Sequence, residues 1–474
     1  MADVYDLVIV GGGVAGLCAA LSAPANATIA VVDKGEAASG SSPLAQGGLA
    51  AAVGPGDSIE LHVADTIAAG AGLCDPEIVA DICGEGPEAV AWLRELGCDF
   101  DRDDDALDLS REGGQTVGRS VHWRDATGAE IVRALRAAAR GRADRLDARA
   151  LSLAMADGRC AGVVTDVGPG IAAGAAPILG RATLLATGGA GGLWASTTNA
   201  PGATGDGIAL AMAAGAAVGD LEFMQFHPTA LAAGGSQQRV LLTEALRGEG
   251  ATLVDANGER FVDEMAPRHI VAKAIIDRGG AWLDAREVSY LEDRFPTIVD
   301  GARRHGFDPV TQPLPVYPAA HYFIGGVAAR ADGRTSIEGL YAAGECTTTG
   351  MHGANRMAGN SLLEAVVCGR RVGMGLDGLP KPAGRIEDGP APLGAVPASL
   401  AQIMWDRCGP VRDEDGLKHG LVALDELSAS WHARLCVAVV AAALERRETR
   451  GVHVRSDKPF PDAGLAGRSM IMPH

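Results

Sequence analysis

Tyr5-Asp6-Leu7-Val8-Ile9-Val10 runs straight into Gly11-Gly12-Gly13-Val14-Ala15-Gly16, and this stretch decides the fold. The largely apolar run before the glycines is the pattern of a buried parallel strand. Residues 14–21 are alanine-rich and predict a short helix, and 27–33 predict a second strand, with Pro24 and Asn26 in the turn between them. The whole reads as a βαβ unit with a short crossover and Gly-x-Gly-x-x-Gly spacing at its first turn. Gly11 permits the tight turn, Gly13 lets a pyrophosphate approach the backbone, and Gly16 allows the helix to pack closely on the strand. The helix start at Val14 and Ala15 offers unpaired N–H groups and partial positive charge to phosphate. Asp33 closes the second strand, where a carboxylate accepts from ribose hydroxyls. Glycines alone would also suit a merely tight turn; between strand and helix they predict a dinucleotide site.

An apolar strand ending in glycines recurs at 181–186 and 339–343. Three such ends, far apart in the chain, predict one nucleotide site assembled from three places. After Asp33 comes Ser39-Gly40-Ser41-Ser42-Pro43-Leu44-Ala45-Gln46-Gly47-Gly48, a small-residue loop suited to lie along an extended cofactor and under a flavin ring. This favours FAD over NAD. A flexible surface loop is the plainer alternative, and the apolar Leu44 and Leu49 count against it. Residues 221–320 change character, with alternating polar and apolar stretches and many charges. Residues 380–397 are rich in proline and glycine and read as a linker, and 399–447 carry helical patterns, as at 433–444. The expected fold is α/β: a Rossmann-like FAD-binding domain (1–220 and 322–380), an inserted α+β capping domain (221–321) and a short C-terminal helical domain (398–474).

Composition narrows the function classes. A length of 474 residues suits two or three domains. Glycine, at 65 residues, is about twice typical usage and clusters in short runs, as backbone close to a ligand would require. A net charge of −18 argues against nucleic acid or an anionic membrane surface as partners. An acidic substrate would need a local cluster of cations. The nine cysteines are scattered without a Cys-x-x-Cys pair, so no disulfide framework and no metal site is expected, and a reducing cytoplasm fits. Neither a signal peptide nor a bilayer-spanning apolar run is read in the sequence.

Further motifs stand in order: Gln225-Phe226-His227-Pro228-Thr229, Thr243-Glu244-Ala245-Leu246-Arg247-Gly248-Glu249-Gly250 and His352-Gly353-Ala354-Asn355-Arg356. With Ala45-Gln46-Gly47-Gly48 they resemble the flavoprotein superfamily of succinate dehydrogenase, fumarate reductase and L-aspartate oxidase. Arg111-Glu112-Gly113-Gly114, Ala266-Pro267-Arg268 and Pro318-Ala319-Ala320-His321-Tyr322 narrow the resemblance to the L-aspartate oxidases. It runs from Val4 to about Gly373, with an echo at Arg447-Glu448-Thr449-Arg450-Gly451-Val452-His453. The C-terminal domain and the stretch before Arg268 are shorter than the family pattern.

The resemblance implies non-covalent FAD, held by Gly12, Gly13, Val14 and Ala15 at the pyrophosphate and by Lys34 after the second strand. It places Ser41, Ser42, Pro43, Leu44, Ala45, Gln46, Gly47 and Gly48 around the flavin, with Asp206, Glu345, Ser361 and Leu362 completing the set. Ser361 and Leu362 open an apolar helix, whose N-terminal dipole favours negative charge on a reduced flavin. The implied activity is oxidation of L-aspartate to iminoaspartate, with oxygen or fumarate as electron acceptor. It would be the first step of quinolinate formation in NAD biosynthesis, followed by quinolinate synthase.

Aspartate carries two carboxylates and one ammonium, so its site needs cations or donors and one anion. Arg268 and Arg356 can each clamp a carboxylate, with His227, Thr243 and His321 as further donors. Read singly, each arginine is as well a surface ion pair and each histidine a core residue; the motif context favours substrate. His352 stays open between a structural and a flavin-adjacent role. The resemblance gives Arg268 the proton-transfer role, with Glu244 and Arg247 as relay partners. An arginine is a poor base, with an ordinary pKa above about 12, so orienting the substrate is an equal role for it. Glu112 alone reads as an exposed loop residue; in its motif it pairs with the substrate ammonium, which succinate lacks.

The nearest alternative is a fumarate reductase or succinate dehydrogenase-like flavoprotein with non-covalent FAD. Covalent members attach FAD through a histidine shortly before the Ala-x-Gly-Gly run, where Ser41, Ser42 and Pro43 stand here. An FAD-dependent tRNA-binding protein is disfavoured by the acidity and the lack of a basic tract.

Overall fold

A computed structural model describes residues 4–35, 40–167, 176–382, 386–387, 392–466 and 471–472. Ser39, parts of the 380–397 linker and parts of the C-terminal stretch lie outside the described residues. β1 (Tyr5–Val10), α1 (Val14–Ser22) and β2 (Ile29–Asp33) form the expected βαβ unit. The chain adds β3 (Asp144–Asp147), β4 (Ala150–Ala156), β5 (Arg159–Thr165) and β6 (Ala176–Leu185). β3, β2, β1, β6 and the strand Leu340–Ala342 lie side by side in that order, all parallel. β5 and β4 extend the sheet antiparallel along the first half of β6.

Both faces of this sheet are covered, which is why β1 reads as a continuous apolar run. Leu7 and Ile9 join one core with α1 and the helix Asn360–Met374. Val8 and Val10 join the other with the helices Asp206–Ala213 and Trp431–Glu445. The period of two along the strand thus feeds two cores at once. Helix Asn360–Met374 crosses α1 at glycines: a Cβ on Gly369 would stand 2.4 Å from Ala15 O, and one on Gly373 2.2 Å from Ala19 O.

Above this layer, β7 (Met224–Leu231), β8 (Thr252–Val254), β9 (Ala281–Asp284) and β10 (Leu314–Phe323) make an antiparallel sheet in the order β7, β10, β9, β8. Its own core gathers Leu253, Val271, Ile275, Leu283, Ile298 and Val316, with helices Arg268–Ile276 and Pro296–Arg304 packed on it. Helices Leu400–Arg407, Glu414–Asp425 and Trp431–Glu445 form the C-terminal region, and the last of them packs against Asp206–Ala213. The fold is the α/β class expected, with an α+β sheet unit and a helical C-terminal region. Among the described residues no helix is long and apolar enough to cross a membrane.

Candidate functional site

The ends of β1, β6 and Leu340–Ala342 open onto one elongated cleft of about 1620 Å³, its solvent mouth included. Gly11, Gly12, Gly13, Val14 and Ala15 line it, as do Asp33, Lys34, Ser41, Ser42, Pro43, Leu44, Ala45, Asp206, Glu345, Ser361 and Leu362. Gly11 has φ +110°, and a Cβ there would stand 2.3 Å from Ala186 O. A Cβ on Gly12 would meet Asp33 Oδ2 at 2.6 Å, so the carboxylate lies directly against bare backbone. Gly16 does not line the cleft; a Cβ on it would stand 2.2 Å from Gly11 O, which is the packing role read from the sequence.

The rest of the cradle is tied together by charge. Lys34 Nζ donates to Gly202 O and to Asp206 Oδ2, both at 2.7 Å. Asp206 Oδ1 also pairs with His432 Nε2 at 2.8 Å. Burial opposes ionisation of Asp206, but His432, Lys34 and Thr204 outweigh it and hold the carboxyl well below the usual range. Glu345 Oε1 accepts from the Phe323 N–H at 3.0 Å, and burial pushes this carboxyl up to about 7. The cleft fits FAD. Bare backbone at Gly11 to Gly13 suits a pyrophosphate, Asp33 suits a ribose, and the helix starts at Val14 and Ser361 suit negative charge.

Arg356 and His321 line the same cleft. Arg356 Nη2 donates to Ser361 Oγ at 2.5 Å, and its guanidinium lies 4.6 Å over the Tyr322 ring. Burial and the nearby Arg268 bring its pKa down to about 10. Arg268 Nε donates to Glu244 Oε2 at 2.7 Å, and its Nη1 to Gln225 Oε1 at 2.9 Å. Arg247 Nη2 lies 3.8 Å from the same Glu244 oxygen, and its Nη1 donates to Glu264 O. Burial opposes ionisation of Glu244, yet Arg268 and Arg247 draw its pKa below the ordinary value.

Glu112 is buried, not the exposed loop residue that its sequence alone suggests. Its Oε1 accepts from the Gly48 N–H at 3.1 Å, and a Cβ on Gly47 would crowd it at 3.0 Å. Burial, then repulsion from Glu244, raises the Glu112 pKa, opposed by Arg268 and Arg356. Gln46, Gly47, Gly48 and Thr243 line a smaller adjoining pocket with Glu112 rather than the main cleft. Thr243 also precedes the helix Glu244–Gly248, which turns Glu244 inward.

The His227 and His321 rings meet edge-on, 5.1 Å apart. The Thr229 N–H lies 3.3 Å from His227 Nδ1, which makes that nitrogen the acceptor and leaves Nε2–H as a donor. Burial, with Arg268 next, depresses both histidines well below their ordinary pKa, so both are neutral. His352 Nε2 lies 3.0 Å from Glu364 Oε2 and 3.2 Å from the Tyr322 hydroxyl, behind the ring that carries Arg356. It lines neither the cleft nor the smaller pocket.

Sequence reasoning did not single out Gln225 or Tyr322. Gln225 Nε2 donates to Asn355 Oδ1 and Arg356 O, so one side chain joins both arginines. A signal existed, since Gln225 precedes His227 by two positions on a strand and so shares its face.

This fold and cleft define an FAD-binding flavoprotein, and the family described as "FAD binding domain" matches residues 6–362. The L-aspartate oxidase of Streptomyces coelicolor is 45% identical over 98% of this chain and 91% of its own. That of Caulobacter vibrioides is also 45% identical, over 96% and 94%. The chain belongs to the L-aspartate oxidase family. Among solved structures, a quinol–fumarate reductase aligns with a TM-score of 0.88 at 28% identity, over 99% of this chain and 97% of that one. Mycobacterium smegmatis Sdh1 in complex with UQ1 aligns with a TM-score of 0.82 at 30% identity, over 99% and 91%.

Proposed function

We propose that this protein catalyses the FAD-dependent oxidation of L-aspartate to iminoaspartate. The observation that carries the reading is the charge layout of the buried cluster. Three arginines, Arg247, Arg268 and Arg356, outnumber two carboxylates: Glu244, which Arg268 already pairs, and Glu112, which among the described residues accepts only from the Gly48 N–H. L-aspartate is the complement, with one ammonium and two carboxylates. FAD, when bound, supplies the acceptor for the hydride leaving Cα.

The protein's own groups do the rest. Arg356, braced by Ser361 and Tyr322, clamps one carboxylate. Arg268 orients the substrate, aimed by Glu244 and Gln225, and passes a proton along Glu244 and Arg247. The neutral His227 and His321, with Thr243, donate further hydrogen bonds. Glu112 holds the ammonium, whose proton must leave before its lone pair can form the C=N bond; Arg268 accepts it as it yields its own Nε proton to Glu244. Glu112, His227, Thr243, Glu244, Arg247 and Arg268 are buried and Arg356 and His321 half-buried, so their fixed charges and donors act strongly.

In this reading 1–220 and 322–380 hold the cofactor, 221–321 cover the substrate, and 398–474 support both. Gln46, Gly47 and Gly48 serve the flavin from the Glu112 side. Oxygen or fumarate reoxidises the cofactor, and quinolinate synthase takes the product in the cytoplasm. The test is product analysis with L-aspartate under air: the imine hydrolyses, so oxaloacetate and ammonia should appear one for one. Fumarate and ammonia in their place would overturn the reading.

A further inference from the structure

The segment after helix Trp431–Glu445 is buried far beyond the needs of a surface tail. Arg446, Glu448, His453 and Arg455 are fully buried, as is Glu222, which lies just before β7. Arg446 Nε donates to Glu222 Oε1 at 2.5 Å, and its Nη1 to Glu448 Oε1 at 2.7 Å. Arg412 Nη1 donates to the Glu222 carbonyl at 2.7 Å. The Arg446 guanidinium lies 5.0 Å over the Phe223 ring, and His453 meets that ring edge-on at 6.3 Å. Glu222 and Phe223 lead directly to Gln225 and His227.

The same segment touches the other side of the site. The Val452 N–H donates to Ala354 O at 2.9 Å. Gly451, at φ +52°, leaves room for that carbonyl, since a Cβ would stand 2.2 Å from it. Ala354 is two residues from Arg356, and the two contacts converge on Gln225. This side chain accepts from Arg268 and donates to Asn355 and Arg356 O. Buried ion pairs are weak sources of net stability, and fixing one geometry is their best-attested use.

We propose that Glu222, Arg446 and Gly451 are positioning residues, through which the C-terminal segment sets the stance of Gln225, Arg268 and Arg356. The proposal rests on the reading of those arginines as carboxylate-binding groups. Its test uses full-length, FAD-loaded protein carrying Gly451→Ala, with Arg447→Ala as control. Arg447 is exposed and only 3.5 Å from Glu414 in a surface pair. The readouts are the Kd of succinate from perturbation of the flavin spectrum, aspartate KM and kcat, and FAD content. Gly451→Ala should raise Kd and KM about 10- to 100-fold, the scale for loss of one charge-assisted hydrogen bond to a carboxylate, while kcat falls less and FAD stays bound. Arg447→Ala should match the wild type. An unchanged Kd in Gly451→Ala, or an equal rise in Arg447→Ala, overturns the proposal.

Should Gly451→Ala fail to fold, Glu222→Gln takes its place, with Glu222→Asp as the conservative variant. Glu222→Gln should weaken succinate about threefold or more by releasing Arg446, and Glu222→Asp should recover part of that loss. No change in Glu222→Gln is again contradictory. A wild-type protein that binds succinate yet is not reduced by L-aspartate would sink the oxidase reading and leave this test intact.

Discussion

Arg268 donates to Glu244 over 2.7 Å, and both side chains are buried. With Gln225 holding a second nitrogen, the guanidinium is fixed from two sides. Arg268→Lys keeps the charge but cannot reproduce the planar fork. Its kcat with L-aspartate should fall about 10²- to 10⁴-fold, the usual span for a misplaced proton-transfer group. FAD should stay bound, because neither Arg268 nor Glu244 lines the cofactor cleft. A steady-state kcat close to the wild type would remove Arg268 from the chemistry.

Glu112→Gln keeps the size of the side chain and removes its charge. Losing one charge-assisted bond of about 1.5–3 kcal/mol should lower kcat/KM for L-aspartate roughly 10- to 150-fold. Fumarate has no ammonium, so its reduction by dithionite-reduced enzyme should hold or improve. Parallel losses in both assays would mean that Glu112 supports the loop at Gly48 instead of the substrate.

The pH profile follows from the same residue. Only the ionised carboxylate can pair with an ammonium, and burial raises the Glu112 pKa above its ordinary 4.5. Activity should therefore be lost as pH falls through that raised value. kcat/KM for L-aspartate, which reports the free enzyme, should show an acidic limb that Glu112→Gln lacks. An identical limb in the variant would assign it to another group.

Arg356→Ala tests the proposed carboxylate clamp, a charge-assisted bond worth about 1.5–3 kcal/mol. The aspartate KM should rise while the flavin stays bound. Loss of flavin with an unchanged KM would make the position structural.

What could be read in the sequence was what local pattern encodes. The run Tyr5–Val10 and the glycines after it announced strand, turn and helix because each residue type answers a local backbone demand. Arg268, Arg356 and Glu244 were reachable through their motifs. The burial of Glu112 was not, because it depends on the Gly48 N–H, 64 positions away. The pair of Arg446 with Glu222 spans 224 positions, and no periodicity carries such a contact.

The central claim is that this site oxidises the amino acid in preference to the plain dicarboxylate. Anaerobic mixing of the FAD-loaded protein with L-aspartate, and separately with succinate, tests it through the visible flavin absorbance. L-aspartate should bleach the flavin promptly and succinate much more slowly, since Glu112 has no ammonium to hold in succinate. Bleaching by succinate at an equal or faster rate would contradict the account.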